Sequence, residues 1–154
     1  MTILALDLGT RTGWAHVDGH GHFTSGVSEF RNDRWQGGGM RFLRFRAWLD
    51  EMHHLTGGFD RLVYEQVRRH AGADASHVYG GWLAILSVWC EQRAIAYQGV
   101  PVGTIKRHAT GQGNAGKPAM IAAVRARGFS PADDNEADAI AILLWALETK
   151  GGVR

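Results

Sequence analysis

Apolar positions follow two rhythms along this chain. Thr2–Leu8 (TILALDL) is a nearly continuous apolar run closed by Gly9, the pattern of a short strand covered on both faces. Thr12–Val17 and His22–Phe30 follow, separated by Asp18-Gly19-His20-Gly21, a turn signal that predicts a hairpin. Three strands on tight turns make an antiparallel meander. Beyond Gly37-Gly38-Gly39 the rhythm changes: Phe42, Leu43, Phe45, Leu49 and Met52 recur at helical spacing, with Arg41, Arg44 and Glu51 on the other side. That spacing predicts a helix over Met40–Leu55, ended by Gly57-Gly58. Arg61–Val67 reads as a second buried strand, Ala73–Arg93 as a long helix with an apolar middle, and Ala94–Val100 as another strand that Pro101 stops or places at an edge. Thr104–Thr110 is a short helix and Gly111–Gly116 a polar loop. Lys117–Arg127 and Asn135–Lys150 are the last helices, the second announced by Ser130-Pro131 and Asp133-Asp134. The order predicts an α/β fold: a mixed five-stranded sheet, three strands in a meander and two parallel, with helices on both faces.

Composition narrows the class. The chain has 154 residues, 45% hydrophobic and 21% charged, which fits one compact domain spanning 1–154 and excludes a disordered chain. No repeat or long linker divides it. The longest apolar stretches, Trp82–Cys90 and Ala139–Leu147, are too short to cross a bilayer, and the N-terminus lacks a basic, cleavable leader. A soluble, cytoplasmic protein is expected. Cys90 is the single cysteine, so an internal disulfide and a cysteine zinc cluster are excluded. Net charge is only +2, yet Lys106, Lys117 and Lys150 are the only lysines. Arginine carries most of the positive charge, and its planar fork suits phosphate groups.

Three carboxylates stand in core-like sequence. Asp7 lies in the first buried strand, Glu65 in the second, and Asp138 on the last helix just before Ala139–Leu147. A buried charge is costly unless it is paired or holds a metal. Each of the three, and Asp134 ahead of the last helix, has an ordinary explanation: Asp7 as a turn residue, Glu65 paired with Arg61 or Arg68, Asp138 complementing the helix dipole, Asp134 as N-cap. All of these at once require several coincidences. Clustered on rigid elements, such acids supply the hard oxygen ligands that Mg²⁺ prefers.

The same segments resemble the RuvC-type Holliday junction resolvases of the ribonuclease H-like nuclease superfamily. LALDLGTRTGWA is similar to the family's first strand with its leading Asp, and FDRLVYEQV to the strand that carries the Glu. VPVGTIKRHATGQGNAGKPAM resembles the stretch of strand, lysine turn, Gly-x-Gly loop and second lysine. DDNEADAIAILLWAL resembles the final helix with its terminal Asp. The resemblance implies a ribonuclease H-like sheet and an endonuclease of recombination and repair. It implies a protein that cuts four-way junctions or other branched DNA in a bacterial or phage-infected cell, near the nucleoid. Asp7, Glu65 and Asp138 match its metal-binding acids, which hold two Mg²⁺ ions, with Mn²⁺ able to substitute. The fourth acidic position falls on Asn135, which keeps an oxygen but no charge; Asp134, one residue earlier, is the alternative. Lys106 and Lys117 match positions facing substrate or the active centre, with Lys117 expected to neutralise charge during cleavage.

After the Glu, the family tends to place an apolar or aromatic residue that meets the bases. This chain has Val67-Arg68-Arg69-His70 instead, which suits a broader branched-DNA activity. Arg11, Arg68, Arg69, Lys106, Arg107 and Lys117 are the expected DNA contacts, and Arg31, Arg34, Arg41, Arg44 and Arg46 form a second group; His108 could also meet substrate. The apolar segment Val78–Arg93 predicts burial on more than one side, the second side being another copy of the chain in a homodimer. Three competing functions remain: a nucleotide-binding fold suggested by Asp7-Leu8-Gly9-Thr10, a RuvC-related RNA-processing nuclease, and a module that grips junctions without cutting.

Overall fold

The computed structural model describes residues 1–149. Its elements run β1 (Ile3–Asp7), β2 (Arg11–Val17), β3 (Phe23–Glu29), α1 (Met40–Leu55), β4 (Arg61–Gln66), α2 (Ala73–Gln92), β5 (Ala96–Pro101), α3 (Val102–Thr110), α4 (Lys117–Ala126) and α5 (Asp134–Glu148). The predicted elements all form, with ends displaced by one or two residues; the predicted end at Lys150 lies outside the described residues. The sheet has the order β3-β2-β1-β4-β5. β1 pairs antiparallel with β2 and parallel with β4, and β4 is parallel to β5. Pro101 ends an edge strand, where its missing N–H breaks no ladder.

The period-2 alternation of the strands sorts residues onto two cores. Ile3, Ala5, Ala15, Val17, Val63 and Val100 face α5 and the short helices α3 and α4. Leu4, Leu6, Leu8, Leu62 and Tyr64 face α1 and α2, where Phe30, Phe45, Trp82 and Trp89 form an aromatic layer. The β2–β3 hairpin closes as its sequence predicts: Asp18 accepts from the His20 and His22 amides, and Gly21 takes a φ of +83°.

Two details of α1 differ from the periodic reading. Leu43 is 58% exposed, because the helix turns only Phe45, Leu49 and Met52 fully inward. Arg41 is not on the solvent face; its guanidinium bonds the Thr10 hydroxyl and lies over the Trp82 ring at 5.2 Å. On α2, Trp82, Leu86, Trp89 and Cys90 are buried while Val88 is 56% exposed. Burial pushes the Cys90 thiol up to about 12, so it is a core residue and no nucleophile.

Candidate active site

The strand register brings the first two acids together. The parallel ladder of β1 and β4 pairs Ala5 with Val63 and Leu6 with Tyr64, so the next step sets Asp7 beside Glu65. Both continue the face of Ala5 and Val63, under α5, at the carboxyl ends of adjacent parallel strands. In α/β sheets this edge is where ligands bind. The two carboxyls are close enough for each to act on the other's proton affinity.

Helix α5 supplies the third acid because a glycine lets it come close. Gly13 is the ladder partner of Asp7, and a Cβ added there would fall 1.9 Å from the Asn135 carbonyl oxygen. The start of α5 thus lies directly on the strand next to Asp7, and Asp138 enters one turn later. The helix is anchored by Asp133, not Asp134: the Asp133 carboxylate accepts from the Glu136 amide at 2.9 Å. Arg11 donates to Asp133 at 2.9 Å and approaches Glu29 at 4.0 Å, so its fork holds the entry of α5. Glu136 is buried and accepts from Ser25 Oγ at 2.8 Å and from the Ala132 amide at 3.1 Å. Released from capping, Asp134 pairs with Lys117 Nζ at 3.3 Å and adds its charge to the field on Asp7 and Asp138. The Asn135 side chain donates to Asp133 at 3.4 Å, and so belongs to the cap.

The electrostatics follow from crowding. Burial, then the charges of Glu65 and Asp138, hold the Asp7 carboxyl well above the usual carboxylate range. Burial, then Glu65 and Asp134, push Asp138 up to about 7, against Lys106 and Lys117. Glu65 is raised by burial, while the hydrogen bond from Asp7 and the charge of Lys106 pull it down. Asp7 and Glu65 therefore share a proton as a pair.

Among the described residues no three acids, imidazoles or thiols close into a finished metal cage. The donor set nevertheless fits a hard divalent cation. It consists of half-buried carboxylates that raise one another's pKa, with excess negative charge that Lys106 and Lys117 offset only in part. Arg68 and Arg69 are exposed on the loop after β4, and Arg107 is exposed on α3. Glu65 is not paired to Arg61, which is buried against Gln98. His108 does not reach the site; it faces Glu148 at 3.8 Å, near the other end of α5.

Sequence reading missed Gly13, Glu136 and Arg125. Arg125 lines a cleft of about 780 Å³ with Lys117, Ile121 and Asp134, along α4. The presence of both Lys117 and Asp134 in that wall ties the cleft to the acids. The spacing of Lys117, Ile121 and Arg125 along one helix face was the available signal.

Solved structures share this architecture. Thermus thermophilus RuvC in complex with a Holliday junction substrate superposes with a TM-score of 0.81, at 20% identity over 99% of this chain and 97% of that one. Thermus thermophilus RuvC gives 0.76, at 20% identity over 96% of each chain. The yeast mitochondrial Holliday junction resolvase Ydc2 gives 0.57, at 10% identity over 91% of this chain and 75% of that one. No protein-family model and no curated protein matches the chain. The chain has the ribonuclease H-like fold in its RuvC-type form. No helix among the described residues is long and apolar enough to cross a membrane.

Proposed function

We propose that residues 1–154 form one nuclease domain that hydrolyses phosphodiester bonds in branched DNA, four-way junctions foremost, with divalent metal. The observation that carries this reading is the meeting of Asp7, Glu65 and Asp138 at one sheet edge beneath α5. The RuvC-type fold supports it, since of the proteins compared above one is described in complex with a Holliday junction substrate and another is named a Holliday junction resolvase.

Asp7, Glu65 and Asp138 would hold two Mg²⁺ ions, or Mn²⁺ in their place. Asp134 is favoured over Asn135 as the fourth donor, because its charge acts on the cluster while the Asn135 amide is turned to Asp133. What the ions supply when bound is Lewis acidity toward the phosphate and a water of lowered pKa. The protein's own part is to fix the carboxylates on two strands and a helix, which spares reorganisation during reaction. Lys106 and Lys117 bring positive charge to the phosphoryl oxygens. Arg68, Arg69 and Arg107 border the same edge and bind backbone phosphates, with Arg125 extending the track along α4. Arg11 acts by positioning α5. Net charge stays small because the local field, not the total, draws DNA in.

We also assign a homodimer to the outer face of α2, where Gly80, Ala84 and Val88 stand exposed on consecutive turns. A two-fold pair suits a junction with two symmetric strands. A cytoplasmic location at the nucleoid of a bacterial or phage-infected cell follows from the same reading. The deciding assay uses a labelled four-way junction, Y-fork, duplex and structured RNA, each with and without Mg²⁺. Metal-dependent cutting of the junction, lost in Asp7→Asn, is the expected result; turnover retained by Asp7→Asn overturns the assignment.

A further inference from the structure

The loop between β3 and α1 stands at the edge of the sheet where the acids lie. β3 runs in the same direction as β1, so both strands end there. The register sets Asp7 beside Gly13 and Gly13 beside Val27, which puts Val27 two strand spacings, about 10 Å, from Asp7. The chain beyond Val27 leaves the sheet on the β3 side of the acids, away from Arg68 and Arg69 after β4. The Phe30 amide donates to the Thr10 carbonyl at 2.7 Å and fastens the start of the loop to the β1–β2 turn.

This loop is a built pedestal. Asp33–Gln36 is a tight turn: the Gln36 amide donates to the Asp33 carbonyl at 3.0 Å, the Trp35 amide to the Asp33 carboxylate at 3.3 Å, and the Asp33 amide to the Gln36 side-chain oxygen at 3.0 Å. Asn32 ties the turn to α1, its side-chain amide donating to the Gly38 carbonyl at 3.3 Å and its oxygen accepting from the Arg41 amide at 2.8 Å. Arg44 donates to the Arg31 carbonyl at 3.1 Å. The indole of Trp35 has no part in these bonds.

Arg34 and Trp35 occupy the two central positions of the turn. Trp35 is 85% exposed, while the other five tryptophans are buried or half-buried in the two cores. A lone exposed ring carries no message. This one is held out by an ordered turn, with the Arg34 guanidinium 5.1 Å from its centroid on one face and the other face open.

The surroundings say what covers it. Between Glu29 and Arg46 five arginines stand against two acids. Both acids are engaged: Glu29 pairs with Arg31 at 3.0 Å, and Asp33 caps its own turn. Arg34 and Arg46 are exposed. Cations around an open aromatic face make a platform for nucleic acid, on which phosphates meet the charges and a base stacks on the ring.

We propose that Trp35 stacks on a base whose face is open, at a branch point or in an unpaired strand, of the DNA held at Asp7, Glu65 and Asp138. Arg34 completes a stack of guanidinium, indole and base. The inference rests on the nuclease reading for the nature of the nucleic acid. It sets a contact on the β3 side of the acids, and it favours DNA with a break in its stacking over continuous duplex.

The test measures binding without divalent metal, so that nothing is cut. The probes are a Y-fork, an oligothymidine strand and a relaxed circular duplex, which has no open base face. The Trp35 emission, taken as the difference between the parent and Trp35→Phe, should fall about twofold or more on the fork and the single strand, as base–indole stacking requires, and stay unchanged on the circle. Trp35→Ala should weaken fork binding about tenfold, and Trp35→Phe less than about threefold, because a phenyl ring also stacks. The circle, which offers phosphates alone, should bind Trp35→Ala within about threefold of the parent. Arg34→Ala should lower the slope of log K against log salt by about one on every probe, a slope that Trp35→Ala leaves alone. Fork binding by Trp35→Ala equal to the parent's, an equal loss on the circle, or an unchanged Trp35 emission would each overturn the stacking post. Metal-dependent junction cutting beside such a result leaves the nuclease standing; stacking with no metal-dependent cutting keeps the post and removes the nuclease.

Discussion

Two sets of carboxylates flank the first turn of α5, and they live by opposite rules. Asp133 has donors: burial works against it, yet the Glu136 amide, Arg11 and Asn135 hold its carboxyl below the usual range. Glu136 likewise meets Ser25 and the Ala132 amide. A few ångströms of chain away, Asp7, Glu65 and Asp138 have mainly one another, and burial with like charge drives them up. The first set stabilises the fold. The second opposes it, as the proposed cation site requires of carboxylates held together before anything positive is bound.

The contrast can be broken at either set. Asp7→Asn or Asp138→Asn should lower metal-dependent junction cutting at least about a thousandfold, measured in single turnover, while junction binding persists or tightens. Gly13→Ala should separate the two sets, since the new methyl would have to displace the Asn135 carbonyl; a loss of roughly 2–4 kcal/mol by denaturant titration is expected. Without metal, Asp138→Asn should stabilise the chain by on the order of 2 kcal/mol, because it removes a buried charge with poor compensation. The same group gives a pH signature. Its folded pKa, about 7, exceeds the ordinary value of 3.8, so the folded chain binds the proton more tightly than the unfolded one. Stability of the metal-free protein should therefore be highest in mild acid, fall as pH rises through 4 to 7, and level off above. Asp138→Asn should flatten that fall, and a stability curve equally steep in the variant would remove Asp138 as its cause. At the other set, Asp133→Ala should cost about 1 kcal/mol of stability through loss of the cap, with the cutting chemistry reduced far less than by Asp7→Asn.

Much of this was legible in the chain. Asp7 and Glu65 could be placed at the ends of buried strands because apolar runs surround them, and Asp138 because the helix after it is apolar throughout. Alternation alone also says that Asp7 shares a face with Ile3 and Ala5. What it does not say is register: only the ladder shows Asp7 beside Glu65 and opposite Gly13. The capping residue was misjudged by one position, since Asp133 and Asp134 carry the same chemistry and only backbone geometry, extended at Asp133, separates them. Arg41 and Leu43 exchanged their expected surroundings because a helical stripe is broad, and the Thr10 hydroxyl and Trp82 ring, distant in sequence, offered the arginine a place inside. The hollow that Leu8, Val67 and Tyr79 line beside α2 had no signature at all, being assembled from a turn, a loop and a helix.

One phenol of α2 braces the end of the strand that carries Glu65. Because the hydroxyl of Tyr79 grips the peptide groups on both sides of Gln66, any tilt of its ring pulls on the backbone that aims Glu65. The aim of that carboxylate thus hangs on the leverage of one side chain from the neighbouring helix.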